Sequence, residues 1–371
     1  MLQVSQLAAA ENSYKFESAG MHLGLNEIAR VDGVIWGLGF IDADTLIFTV
    51  RRGDVTLLDL NTRTTQKISD TPTVHRVIGG GPFDTVASGG LFDVLVDPDF
   101  QSNQTIYLAY VKKTTNGHAL AVARGQLNKN HLENTTDIFI ANNDSEEAGR
   151  WGTRLAIDAD GFLYVAVGDR RVGENAQNTL SHLGKIVRLN TDGSVPQDNP
   201  FVDQDNFAPE IFSYGHRNPQ GLAFHPNTAA LFEHEHGPDG GDEINIIEAG
   251  KNYGWPVISY GVSRAGKQIG TRSEKAGLEQ PIRYYEPGIA PSGMHFYFGD
   301  RYPGWNGNLF IGSLNRMQLN RIVLDGLEVT AEEQLLTDWK ERIRDIAQGP
   351  DGRLYLATGS GRIVRIEQIA N

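Results

Sequence analysis

RLYLATGSGRIVRIEQI, residues Arg353–Ile369, holds two apolar strands around a glycine break. Apolar and other residues alternate inside each half, the pattern of half-buried sheet and not of helix. The same unit opens the chain as TLIFTVRRGDVTLLDL, Thr45–Leu60. It returns at Thr105–Leu127, at Phe162 with Gly184 onward, at Ala230 with Glu243 onward, and at Asn308 with Leu319 onward. The six copies start roughly 45 to 80 residues apart, at or beyond the period of propeller blades carrying loop insertions. Asp-Gly-x-Leu-Tyr leads into a strand at both Asp160–Tyr164 and Asp351–Tyr355, which speaks against two unrelated sandwiches. The expectation is an all-β, six-bladed β-propeller spanning residues 1–371 as one domain, its radial repetition leaving only short protected edges. The strand around Val34–Phe40 is expected to pair with the last blade and close the ring, and Ala331–Lys340 is the best candidate for a helix.

Composition agrees. Forty-two glycines and fifteen prolines are more punctuation than helical proteins use. Hydrophobic content of 40% and charged content of 21% are those of a globular chain, and no apolar run reaches the length of a membrane span. A net charge of -13 argues against nucleic acid as a partner. With no cysteine, disulfides, thiolate metal sites and cysteine nucleophiles are excluded. The opening residues Met1–Ser13 lack the basic start and apolar core of a signal peptide.

Function is expected where strands stop, because loops at one end of a propeller channel converge. Ser213–Trp255 is the densest such stretch. Arg217, Asn218 and Gln220 offer hydrogen-bonding groups suited to carboxylate or quinone oxygens. The turn from Gly237 and Pro238 to Asp242 and Glu243 offers oxygen ligands of the kind calcium takes, without EF-hand spacing. His234 and His236 share one strand face, yet no third zinc ligand is evident beside them. Arg150, Arg154, Asp169, Asn315, Arg342 and Arg344 complete the group expected to meet over the channel. No nucleophile elbow, P-loop or dinucleotide fingerprint is present.

Several of these stretches together resemble the soluble quinoprotein sugar dehydrogenases, the glucose/sorbosone or aldose sugar dehydrogenase family. They are GGLFDVLVDPDF (Gly89–Phe100), RLAIDADGFLYVAVGD (Arg154–Asp169), GHRNPQGLAFHP (Gly215–Pro226), EHGPDGGDEIN (Glu235–Asn245), GKNYGWP (Gly250–Pro256) and RIRDIAQGPDGRLY (Arg342–Tyr355). The resemblance implies a six-bladed propeller that binds pyrroloquinoline quinone (PQQ) and calcium and oxidises a sugar, passing electrons to an external acceptor. It implies quinone binding by Arg217, Asn218, Gln220, His236, Asn315, Arg342 and Arg344, with calcium on the carbonyls of Gly237 and Pro238. A second, structural calcium would use Glu243 and the Tyr253 carbonyl, Asp169 would belong to the catalytic pair, and Asp242 would lie near substrate. A periplasmic or secreted location follows from the same resemblance.

Three positions depart from the family pattern. Arg150, in RWGTRL, stands where the family has its catalytic histidine; Asn315 stands where glucose enzymes have a lysine, and Ser88 where a glutamine touches sugar. Arginine keeps its proton at physiological pH and is no general base, so an ion pair of Arg150 with Asp169 is expected. Two other readings stay open: a propeller of the same descent that binds a carbohydrate or protein without turnover, and a metal-dependent hydrolase or lactonase.

Overall fold

The computed structural model describes residues 14–77, 88–142, 144, 146, 149–271 and 273–370; the Met1–Ser13 segment read for a signal peptide lies outside them. Six antiparallel sheets are arranged as blades around a central axis. Their innermost strands are Ile35–Phe40, Leu91–Val96, Gly152–Ile157, Pro219–Phe224, Pro291–Phe296 and Ile343–Gln348, defining blades 1 to 6 in chain order. Each inner strand packs on those of its two neighbours, and blade 6 packs back on blade 1.

The recurring sequence unit is the middle pair of strands in each blade. Thr45–Val50 pairs with Asp54–Asp59, Thr105–Thr114 with Gly117–Asn128, Phe162–Val167 with Lys185–Asn190, and so on to Leu354–Thr358 with Arg362–Gln368. Their alternation has a direct packing cause, since successive side chains leave a strand on opposite faces and meet different neighbouring blades. Tyr107, Ala109 and Val111 enter the core shared with blade 3, whereas Ile106, Leu108 and Tyr110 enter the core shared with blade 1. Every pair of adjacent blades shares such an apolar layer.

Two expectations are corrected. Ile35–Phe40 is the inner strand of its own blade, paired with Thr45–Val50, and does not close the ring. Closure comes from Met21–Arg30, which pairs antiparallel with Arg362–Gln368, and Tyr14–Ser18 covers its outer edge. The candidate helix at Ala331–Lys340 begins instead in the outer strand of blade 5, Glu328–Leu335. An outer strand has one solvated edge and polar residues along it, so its composition resembles that of an exposed helix.

Charge sits on the axis. The third residues of the inner strands are Gly37, Asp93, Arg154, Gly221, Gly293 and Asp345. Arg154 Nη1 lies 3.1 Å from both Asp93 Oδ1 and Asp345 Oδ1. Its Nε donates to the Gln220 carbonyl at 2.9 Å and its Nη2 to the Arg344 carbonyl at 2.9 Å. The aspartates also bind backbone, Asp93 taking the Leu155 N–H at 2.9 Å and Asp345 that of Leu38 at 2.8 Å. The glycines leave room for this layer: a Cβ on Gly37 would lie 2.8 Å from Asp93 Oδ1, and one on Gly293 2.6 Å from Asp345 Oδ1. Burial raises both carboxyls, Asp345 to about 6, with Arg154 pulling them back down.

Replacing Arg154 by Met strands two buried acids, and we expect a loss of roughly 3–5 kcal/mol in chemical denaturation. Adding Asp93→Asn and Asp345→Asn to that variant should recover part of the loss. A single variant as stable as wild type would show that the axial charges are not structural.

Candidate functional site

Asp169 ends the second strand region of blade 3 and is wholly buried. Its carboxylate accepts from Arg150 Nη1 at 2.9 and 3.3 Å, from the Arg171 N–H at 2.8 Å and from Trp255 Nε1 at 2.8 Å. The expected Arg150–Asp169 pair is therefore present, with Arg150 27% exposed at the surface end and Trp255 on the buried side. Burial pushes the Asp169 carboxyl up against the pull of Arg150 and Arg217. The Asp169 N–H donates to the Arg217 carbonyl at 2.9 Å, joining blade 3 to the motif that opens blade 4.

That motif is held from behind. The N–H groups of Arg217 and Asn218 both donate to Glu235 Oε2, the latter at 3.0 Å. Arg217 Nη1 donates to the His236 carbonyl at 2.6 Å, and its guanidinium lies 5.2 Å from the Trp255 ring centre. Asn218 Oδ1 and the Gly152 carbonyl both accept from Gln220 Nε2, at 3.3 and 3.1 Å. His236 Nε2 faces the Pro291 carbonyl at 2.7 Å, which assigns the ring proton to Nε2 and leaves Nδ1 as an acceptor. Burial holds this imidazole below its usual range.

The polar turn continues the ring of contacts. Asp242 Oδ1 accepts the Gly237 N–H at 2.8 Å, closing the turn, and its Oδ2 accepts the Ala290 N–H at 2.7 Å, tying that turn to the connection into blade 5. Asn315 is exposed; its N–H donates to the Ile289 carbonyl at 3.1 Å and its Nδ2 to that of Gly288 at 3.3 Å. Arg344 lies 4.7 Å from the Trp36 ring centre, while Arg342 is exposed. Ser88 accepts from Trp151 Nε1 at 3.3 Å. The sequence-predicted residues thus gather around one end of the channel, although Asp242 is committed to the turn.

The electrostatics suit an anion. Burial lowers Arg217 to about 10, aided by Arg150, and lowers Arg344 to about 9, aided by Arg51, Arg342 and Arg154. Both Nε atoms are buried without a hydrogen-bond partner. Cations whose buried Nε donors are unspent fit a ligand carrying carboxylates and carbonyls.

Next to them lies the opposite charge. One small cavity is lined by Glu235, Gly237, Pro238, Glu243 and Tyr253 together with Arg217. The carbonyls of Gly237 and Pro238 accept no hydrogen bond among the described residues. Glu233 and Glu235 share a face of their strand with Asn245 and Glu243 opposite. Ligand atoms of His216, Glu233 and Glu235 lie within 4.8 Å of one another, and Glu233 Oε1, Asn245 Oδ1 and His216 Nδ1 are buried without partners. Orphaned buried acceptors beside three carboxylates fit a cation, with oxygen ligands of the type calcium takes. The sequence reading named Glu243 and Tyr253 but missed His216, Glu233 and Glu235. The alternation of Glu-His-Glu before the turn was the available signal. Both His234 nitrogens are buried without hydrogen-bond partners, near Gly221, and among the described residues neither His234 nor His236 belongs to a cluster of three ligand groups.

The profile of Glucose / Sorbosone dehydrogenase matches residues 33–365. The chain belongs to this family. Aldose sugar dehydrogenase YliI of Escherichia coli K12 is 37% identical over 340 residues, 89% of each chain. The crystal structure of the soluble aldose sugar dehydrogenase of E. coli, in its apo form, superposes with a TM-score of 0.88 at 34% identity over 94% of this chain and 100% of that one. The PQQ-bound aldose sugar dehydrogenase of Streptomyces coelicolor shares the fold, with a TM-score of 0.74 at 24% identity over 93% and 98% of the two chains. Among the described residues no helix is long and apolar enough to cross a membrane.

The carboxylate cluster makes a pH-dependent prediction. Burial, reinforced by Glu235, raises Glu233 and Glu243 well above the ordinary value of 4.5. A carboxyl raised on folding stabilises most below its unfolded value, and that contribution is lost as pH rises through its folded value. Chelator-treated protein should therefore lose melting temperature from acid toward neutral pH, and added calcium should restore more of it at about pH 8 than at about pH 5. An equal calcium effect at both pH values would show that these carboxylates do not hold the ion.

Proposed function

We propose that the protein oxidises an aldose or related alcohol with PQQ as electron acceptor, calcium as its metal and an external acceptor completing the cycle. The observation that supports this most is the buried Arg217 and the half-buried Arg344, each with a buried Nε that has no hydrogen-bond partner and neither in an ion pair among the described residues, beside the unpartnered Glu233 Oε1 and Asn245 Oδ1. When bound, PQQ supplies a two-electron acceptor and calcium a Lewis acid. Arg217, Asn218 and Arg344 would bind the quinone, while Gly237 and Pro238 would hold calcium by their carbonyls. The bond from Arg217 to the His236 carbonyl, and the Glu235 carboxylate beneath its backbone, keep the guanidinium aimed without substrate present.

Proton removal is the weak element of this site. Asp169 is saturated by Arg150, Trp255 and a backbone N–H, and Arg150 does not give up its own proton. The site can therefore bind and orient, but it lacks the base that the family pattern supplies. This observation favours a second reading, in which the protein binds a carbohydrate at the same mouth without turnover.

Titration of chelator-treated protein with PQQ and calcium, read by absorbance and followed by sugar-dependent bleaching of a dye, separates the two. We expect calcium-dependent uptake of PQQ with slow turnover, and a gain in rate of about 10²-fold or more in Arg150→His. Absence of PQQ uptake would overturn the dehydrogenase reading and leave the binding one.

A further inference from the structure

Outside the channel mouth, blades 4 and 5 part to form a cleft of about 550 Å³. Its walls carry Tyr284, Glu286, Arg316, Gln318 and Gln334, from three segments of the two blades. Tyr284 is 44% exposed, and its ring is braced by Tyr260, stacked at 4.0 Å between ring centres and 15° between planes. The Arg316 guanidinium and the Glu286 carboxylate have no hydrogen-bond or ion-pair partner among the described residues. Arg283 and Glu332, by contrast, are committed to each other at 2.6 Å.

This combination selects a ligand class. A rigid, half-exposed aromatic ring offers a flat apolar face, and planar guanidinium, carboxylate and amide groups offer paired donors and acceptors. The cleft pairs two arginines with two glutamates, so no single charge dominates and an anionic ligand has no advantage. A sugar residue, with apolar C–H faces and neighbouring hydroxyls that both donate and accept, matches each element.

The cleft adjoins the site described above through one shared wall. Glu286, Pro287 and Ile289 line it. The same connection, a few residues on, gives the Ala290 N–H to Asp242 at 2.7 Å and the Pro291 carbonyl to His236 at 2.7 Å. The Gly288 carbonyl accepts from Asn315. Residues 286–291 thus face the channel mouth on one side and the cleft on the other.

We propose that this cleft is a carbohydrate subsite, holding a distal residue of a neutral oligosaccharide whose reducing end occupies the channel mouth. The assignment of the reducing end rests on the dehydrogenase reading; the sugar-binding role of the cleft does not.

Calorimetric titration of the purified full chain in calcium-containing buffer, with glucose, maltotriose and cellotriose, tests it. At least one trisaccharide should bind about 10-fold more tightly than glucose, and Tyr284→Ala and Arg316→Ala should each remove most of that gain. Both side chains are at the surface, so melting temperatures should stay at the wild-type value, and dye reduction with glucose should not change. Equal affinity for glucose and both trisaccharides, or a gain that survives both substitutions, would overturn the subsite. Tight trisaccharide binding in a protein that takes up no PQQ would support the subsite while overturning the dehydrogenase reading. Glucose turnover with no trisaccharide advantage would do the reverse.

Discussion

Arg154 on the propeller axis is the interaction on which the rest of the structure depends. One side chain joins blade 3 to acids of blades 2 and 6 and to carbonyls of blades 4 and 6. A buried cation is tolerated only when its charge and donors are met, so four inner strands are held at fixed height and register. Those strands begin at the channel mouth. The carbonyls that Arg154 holds belong to Gln220 and Arg344, residues of the candidate site itself. The charge that closes the channel therefore also sets the floor of the site, and glycines at neighbouring positions supply the space it needs.

Above this floor, opposite charges are kept close without cancelling. Arg217 and Arg344 face the mouth, whereas Glu233, Glu235 and Glu243 gather on one face of the adjoining strands of blade 4. Glu235 belongs to both sides, since it binds the backbone of Arg217 and Asn218 while facing His216 at 3.6 Å. Each set has polar atoms that the protein leaves unmatched. On the function proposed above, these unmatched atoms are what an anionic cofactor and a cation would meet together. At Asp169 the charge is met from within, by Arg150, Trp255 and a backbone N–H.

The sequence was most legible where solvent and core impose a period. In all six blades the middle strands are buried on both faces or alternate cleanly, and these were the strands recognised. Inner strands such as Pro219–Phe224 and Pro291–Phe296 carry proline and glycine, which suits their close packing around the axis. Their composition reads as loop. The outer strand of blade 5 is polar and exposed, which is why its last residues, Ala331–Leu335, resembled the start of a helix. The Arg217–Gln220 and Gly237–Glu243 motifs stood out because unusual polar residues at strand ends have few structural explanations. His216, Glu233 and Glu235 did not, since one comes from a loop and two from a strand, and their shared pocket is created by pairing.

By itself the sequence determined the number of blades, because the alternation inside strands is a local property. The tertiary structure decided which segment closes the ring, which charges share the axis, and that Asp242 serves the turn while Glu243 joins a buried acid cluster. Two neighbours on one strand point to opposite faces, and what each face meets depends on strands far away in the chain. Contacts of that kind carry no local period, so only the folded ring fixes them.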